Sequence, residues 1–155
     1  LPAGPNSITT QAEPLPQHPT RIELGVDVPR PRQVYLLITG GNLFTKFEGR
    51  QFGMVRLHFA DRRSFTQPLV AGEHIREWKL LDQVTVASTT SPSVQEVWRT
   101  ESRHGGIGII DMLTIDLSDI AAGELVGIEV VDTSQEAVGS LDPAINLVGV
   151  TVLGG

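Results

Sequence analysis

The chain has 155 residues, a formal net charge of −6 and 40% apolar residues, which suits a single domain with one core. It has no cysteine, which excludes disulfides, thiol catalysis and cysteine-based zinc or iron–sulfur sites. Residues 1–77 hold nine Lys/Arg against seven Asp/Glu and residues 78–155 three against eleven, with none of either base after Arg103. Nucleic-acid binding needs clustered cations, so it is disfavoured, and acidic and basic strands that face one another or solvent account for the asymmetry. The apolar runs are far shorter than the ~20 residues of a membrane-crossing helix, so no membrane insertion is expected.

Residues 1–20 carry five of the ten prolines and one formal charge, Glu13, and read as a Pro-rich linker or tail ahead of a single domain over 21–155. Leu1-Pro2-Ala3-Gly4 lacks an initiator Met and a signal-peptide pattern, as at the start of a cut or mature chain. Ile22, Leu24, Val26 and Val28 alternate with polar or small residues, the period-two mark of a strand with one wet face, and Pro29-Arg30-Pro31 ends it. Arg32 to Thr39 is apolar on both faces, which predicts a central strand covered on both sides.

Gly40-Gly41-Asn42 breaks that run, and a loop over 42–51 carries Phe44 and Phe47. From Phe52 to Ala60, Val55, Leu57 and Phe59 share one face and Met54, Arg56 and His58 the other. Asp61-Arg62-Arg63 turns the chain into Ser64–Val70, and Ala71-Gly72 leads into an extended His74–Leu80. The series from Arg32 to Trp78 thus reads as a β-meander. Residues 89–106 are irregular around a short Val97-Trp98 element, and Ile107–Leu117, Leu125–Val131 and Ala144–Leu153 are strands. Ser118 to Gly123 predicts one helical turn, with Ser118 as cap and Gly123 as terminator. The sum is an all-β, two-sheet, mostly antiparallel sandwich of jelly-roll type with about eight strands and at most one short helical turn.

The chemistry is sparse. His18, His58, His74 and His104 are scattered, with no HxH or HExxH, and no GxSxG, GxxxxGK[ST] or GxGxxG occurs. Asp111, Asp116, Asp119 and Asp132 stand near strand ends, but nothing marks two carboxylates as facing one cleft, so no catalytic residue is assigned. Asp27, Asp132 and Asp142 are weak candidates for a structural Ca²⁺, without a DxDxDG loop, and no other cofactor is expected.

Sugars are bound by an aromatic plate against the ring and polar groups on the hydroxyls. In extended geometry His74, Arg76 and Trp78 share one side, and Arg56 and His58 on the earlier strand are placed to join them. Trp98 with Arg99 and Glu101 offers a second set.

Over residues 21–153 the chain resembles the galactose-binding-like jelly-roll superfamily. The resemblance rests on strand order, on Val55-Arg56-Leu57-His58-Phe59-Ala60-Asp61 leading into Phe65, and on Ala144-Ile145-Asn146-Leu147-Val148-Gly149-Val150. It implies a noncatalytic accessory module for carbohydrate, in a larger extracellular or cell-surface protein. The alternative is a structural or protein-interaction sandwich that packs on a neighbouring domain or on a second copy as a homodimer.

Overall fold

The computed structural model describes residues 20–101, 103, 105–120, 123–134 and 143–155. Nine strands follow in order: β1 (Arg21–Val28), β2 (Pro31–Gly41), β3 (Gln51–Phe59), β4 (Ser64–Val70), β5 (Lys79–Leu80), β6 (Val94–Glu101), β7 (Ile107–Asp116), β8 (Leu125–Asp132) and β9 (Ala144–Gly154). They form two antiparallel sheets. The first has the order β1-β8-β3-β4. In the second, β6 pairs along one edge of β7 while β5 and β2 lie end to end along the other, and β9 closes the sheet beyond β2. The fold is an all-β sandwich, as the alternating patterns predict. No described helix is long and apolar enough to cross a membrane.

Period-two alternation sets which side chains meet between the sheets. Val55, Leu57 and Phe59 of β3 and Leu125, Ile128 and Val130 of β8 face Val34, Leu36 and Ile38 of β2 and Leu113 and Ile115 of β7, all buried in one cluster. Partly buried aliphatics of β1 and β9 complete it: Ile22, Leu24, Val26 and Val28 from one, Ile145, Leu147, Val150 and Val152 from the other. Phe47 closes one end of the interior, edge-on to Phe52 at 5.6 Å and to Phe44 at 6.1 Å.

Several expectations change. The meander does not form, because β2 lies in one sheet and β3 and β4 in the other; only the β3–β4 hairpin remains of it. In its turn Arg62 takes a left-handed φ of 69°, and Asp61 holds it by accepting hydrogen bonds from the Arg63 backbone N–H and Nε. β2 is central in its sheet, but Tyr35 and Leu37 are only half-buried on its outer side. The stretch His74–Leu80 is a strand only at Lys79–Leu80, whereas Val94–Glu101 is a full eight-residue strand. A 3-10 turn forms at Thr45–Phe47, in the loop; Ser118–Ile120 makes a turn and bend, and residues 121–122 lie outside the described residues.

Leu57 is fully buried between the sheets. Leu57→Ala is expected to lower unfolding stability by about 2–5 kcal/mol, read by chemical denaturation, because the cavity it leaves adds to the lost transfer energy.

Candidate functional site

The connection from Ala71 to Ser93 runs from β4 in one sheet to β6 in the other and carries His74, Arg76 and Trp78 of the residues singled out from the sequence. Arg76 anchors it. Its guanidinium donates from Nε and Nη2 to both oxygens of Asp111 at 2.7 Å, from Nη2 to Glu96 at 2.7 Å and from Nη1 to the Ala87 carbonyl at 2.8 Å. Asp111 and Glu96 are register partners on β7 and β6, so two strands present a ready-made carboxylate pair to one bidentate fork. The Asp111 hydrogen bond raises the Arg76 pKa against the cost of burial, with Glu96 adding to the rise. Glu96 also accepts from Arg99 at 2.6 and 2.9 Å, and this bond first, then Arg76, holds its carboxyl down at about 2.

Arg76 and Arg99 are therefore brought together, through Glu96, as parts of a structural network. His74, like Arg76, is buried, whereas Arg99 is exposed. The His74 Nδ1 lies 3.4 Å from the Val70 backbone N–H and its Nε2 3.6 Å from Glu73.

Of His74, Arg76 and Trp78, Trp78 alone faces solvent, at 48% exposure. Its main chain bridges two strands, donating to the Gly40 carbonyl and accepting from the Ile109 N–H, both at 2.8 Å. Beside it Glu77 is buried, its carboxylate accepting the Leu43 N–H at 2.6 Å and also bonded by the Lys79 backbone. Burial pushes the Glu77 carboxyl up, against the pull of those backbone donors. These bonds fix the 42–44 segment against 77–79, and between them opens a groove of about 230 Å³ lined by Asn42, Phe44, Glu77, Trp78, Lys79, Leu81 and Thr85.

Of the groove only Trp78 stood out in the sequence. Asn42, Lys79, Leu81 and Thr85 carry no pattern, although the Gly40-Gly41-Asn42 break followed by Phe44 marks the near wall; Asn42 sits there with a φ of 58°.

Arg56 and His58 lie elsewhere, on the outer face of β3, across the sandwich from this network. They surround Glu129 of β8, whose side chain is 3% exposed. His58 Nε2 is 3.1 Å and Arg56 Nη1 3.6 Å from Glu129 Oε2. Arg21 Nε is 2.7 Å from Oε1 and 2.6 Å from Glu23, but off the line of a hydrogen bond to Glu129 Oε1. Burial raises the Glu129 carboxyl, yet the His58 bond and the Arg21, Arg56 and His58 charges together hold it below the ordinary carboxylate range. A shallow depression of about 280 Å³ adjoins this cluster, over Gly25 and its register partner Gly127. It is the larger hollow, but it has no aromatic wall and its ionic groups face one another.

Trp98 is 49% exposed and lies opposite Ile110, where a Cβ on Gly108 would meet its ring at 3.5 Å. It does not line the Trp78 groove. Of the cation candidates, Asp27 is exposed and hydrogen-bonded with Glu124, Asp132 accepts the Ser134 and Ile145 N–H groups, and Asp142 lies outside the described residues. Among the described residues no three His, Asp or Glu side chains are grouped to hold a metal. Comparison of the chain with protein-family models, with curated proteins and with solved structures yields no match.

Removing one partner of a buried pair strands the other's charge, so Asp111→Ala is expected to cost about 3–5 kcal/mol in urea unfolding. The depressed Glu96 carboxyl stabilises the fold above its ordinary value of 4.5 and loses that contribution as pH falls towards about 2. Thermal melts across that acid window should therefore drop less steeply for Glu96→Gln than for the parent chain.

Proposed function

We infer that the chain is a noncatalytic binding module whose ligand is a carbohydrate, taken in the groove between residues 42–44 and 77–85. The observation that carries this reading is Trp78, half-exposed on the wall of a concave site that Asn42 and Lys79 also line. An indole presents a flat apolar surface to the C–H face of a sugar, and short polar groups around it meet the hydroxyls. Phe44 and Leu81 extend the apolar wall. The groove is smaller than the ~300–1,000 Å³ of pockets for drug-sized ligands, a size suited to one terminal sugar ring.

Noncatalytic action is supported by the groove's own chemistry. It holds one carboxylate, Glu77, whose oxygens are committed to backbone N–H groups, whereas glycoside hydrolysis uses two carboxylates across the bond. This reading agrees with the resemblance to galactose-binding-like modules, which are appended to carbohydrate-active and cell-surface proteins.

A panel of mono- and oligosaccharides titrated against tryptophan fluorescence tests it. Binding should be weakened at least about tenfold by Trp78→Ala, the loss of one aromatic platform, and should survive Trp98→Ala. No response to any sugar, or a response that follows Trp98, would sink the proposal.

A further inference from the structure

Among the described residues the two sheets have five edge strands; β5 is only two residues long, and three of the other four are guarded against pairing with another chain. β1 carries Arg21, Glu23 and Asp27, β4 has seven residues interrupted by Pro68, and β6 carries Glu96, Arg99 and Glu101. Charges and proline are the usual means by which an edge strand avoids association, since an unguarded edge offers a row of free N–H and C=O groups. β9 is different. Its eleven residues, Ala144 to Gly154, contain no charge and no proline, and among the described residues no strand pairs with its outer edge. Val148 and Leu153 on it are 58% and 47% exposed.

The ends of this strand carry opposite charge. At its start, Asp132 of β8 accepts the Ile145 N–H at 2.8 Å. At its end, Gly155 donates to the Arg30 carbonyl at 2.8 Å and lies against the Arg32 side chain, and both arginines are exposed.

We propose that β9 is a self-association edge, pairing antiparallel with β9 of a second copy about a two-fold axis near Val148 and Gly149. Such an axis brings the Asp132 end of each strand beside the Arg30 and Arg32 end of the other. Self-complementarity of this kind favours a closed two-fold dimer over an open chain of molecules. It also resolves a charge problem: two molecules of net charge −6 repel, and this neutral strand with opposite charges at its ends is where they approach at least cost. One irregularity in the β2–β9 ladder, between Leu37 and Ile38, leaves Val148 without a register partner on β2 and with its side chain exposed. The joined sheet then runs β6-β7-β2-β9 and back through the same strands of the second copy. This proposal is independent of the sugar reading, because it uses a different part of the surface.

Light scattering over a range of concentrations tests it, with the expected outcome a doubling of the 16.8 kDa chain mass. Val148→Lys places like charges at the axis on an exposed side chain and should raise the dimer dissociation constant about tenfold or more. Because the chain has no cysteine, Val148→Cys gives a single thiol that should form a disulfide-linked dimer under mild oxidation, far faster than Thr66→Cys on β4. A monomer mass at every concentration overturns the proposal. So does a dimer that Val148→Lys leaves intact and Val148→Cys does not link.

Discussion

The Arg76 guanidinium is the constraint on which the upper part of the molecule depends. The 71–93 connection crosses from one sheet to the other with only two residues of strand of its own, and main-chain bonds to Gly40, Leu43 and Thr45 tie parts of it without joining its two halves to β6 and β7 by side chains. A planar fork held by Asp111, Glu96 and the Ala87 carbonyl makes that join. Because Asp111 and Glu96 sit in register on adjacent strands, the position of the fork is set by the sheet, and the residues that follow it inherit that position. Glu77 then ties the 42–44 segment, and Trp78 is left at the surface between the two. Such a buried ionic cluster adds little net stability compared with a well-packed apolar one. Its effect here is to select one path for a long loop.

This arrangement also accounts for the uneven charge of the chain. The bases of the first half find the acids of the second: Arg76 with Asp111 and Glu96 on one side of the sandwich, Arg21 and Arg56 with Glu129 on the other. Glu23 and Glu129 stand directly opposite on β1 and β8, a repulsive pair that Arg21 offsets by lying within 2.7 Å of both. What looks like polarity along the sequence is complementarity in space, as a reading of facing acidic and basic strands anticipates.

Ile22 to Val28 and Val55 to Phe59 fall where alternation puts them, and the last three strands where their runs of Val and Ile put them. Partner choice was not legible. A local pattern says that Val34 and Val55 are buried, but not that β2 and β3 belong to different layers, because pairing is decided by residues roughly 75 to 120 positions away. His74 to Trp78 misled for a related reason. Alternating large residues also occur in a loop pinned by one arginine, and there His74 and Arg76 turn inward while Trp78 does not. Residues 89–106 read as irregular around a short Val97-Trp98 element, whereas Val94–Glu101 is an edge strand with Glu96 and Arg99 as its polar dressing. The groove itself drew on Asn42, Lys79 and Thr85, ordinary residues whose meaning comes only from being brought together.

The interleaving of early and late strands has a consequence for how the molecule is made. β1 pairs with β8 and β2 with β9, so each sheet draws its members from both ends of the sequence. No subset formed from the first hundred residues can close either layer, and contacts of such long sequence separation are slow to find. During synthesis the apolar β3 waits, half-dressed, for β8, and β2 for β7 and β9. That interval is when chaperones would have most to protect.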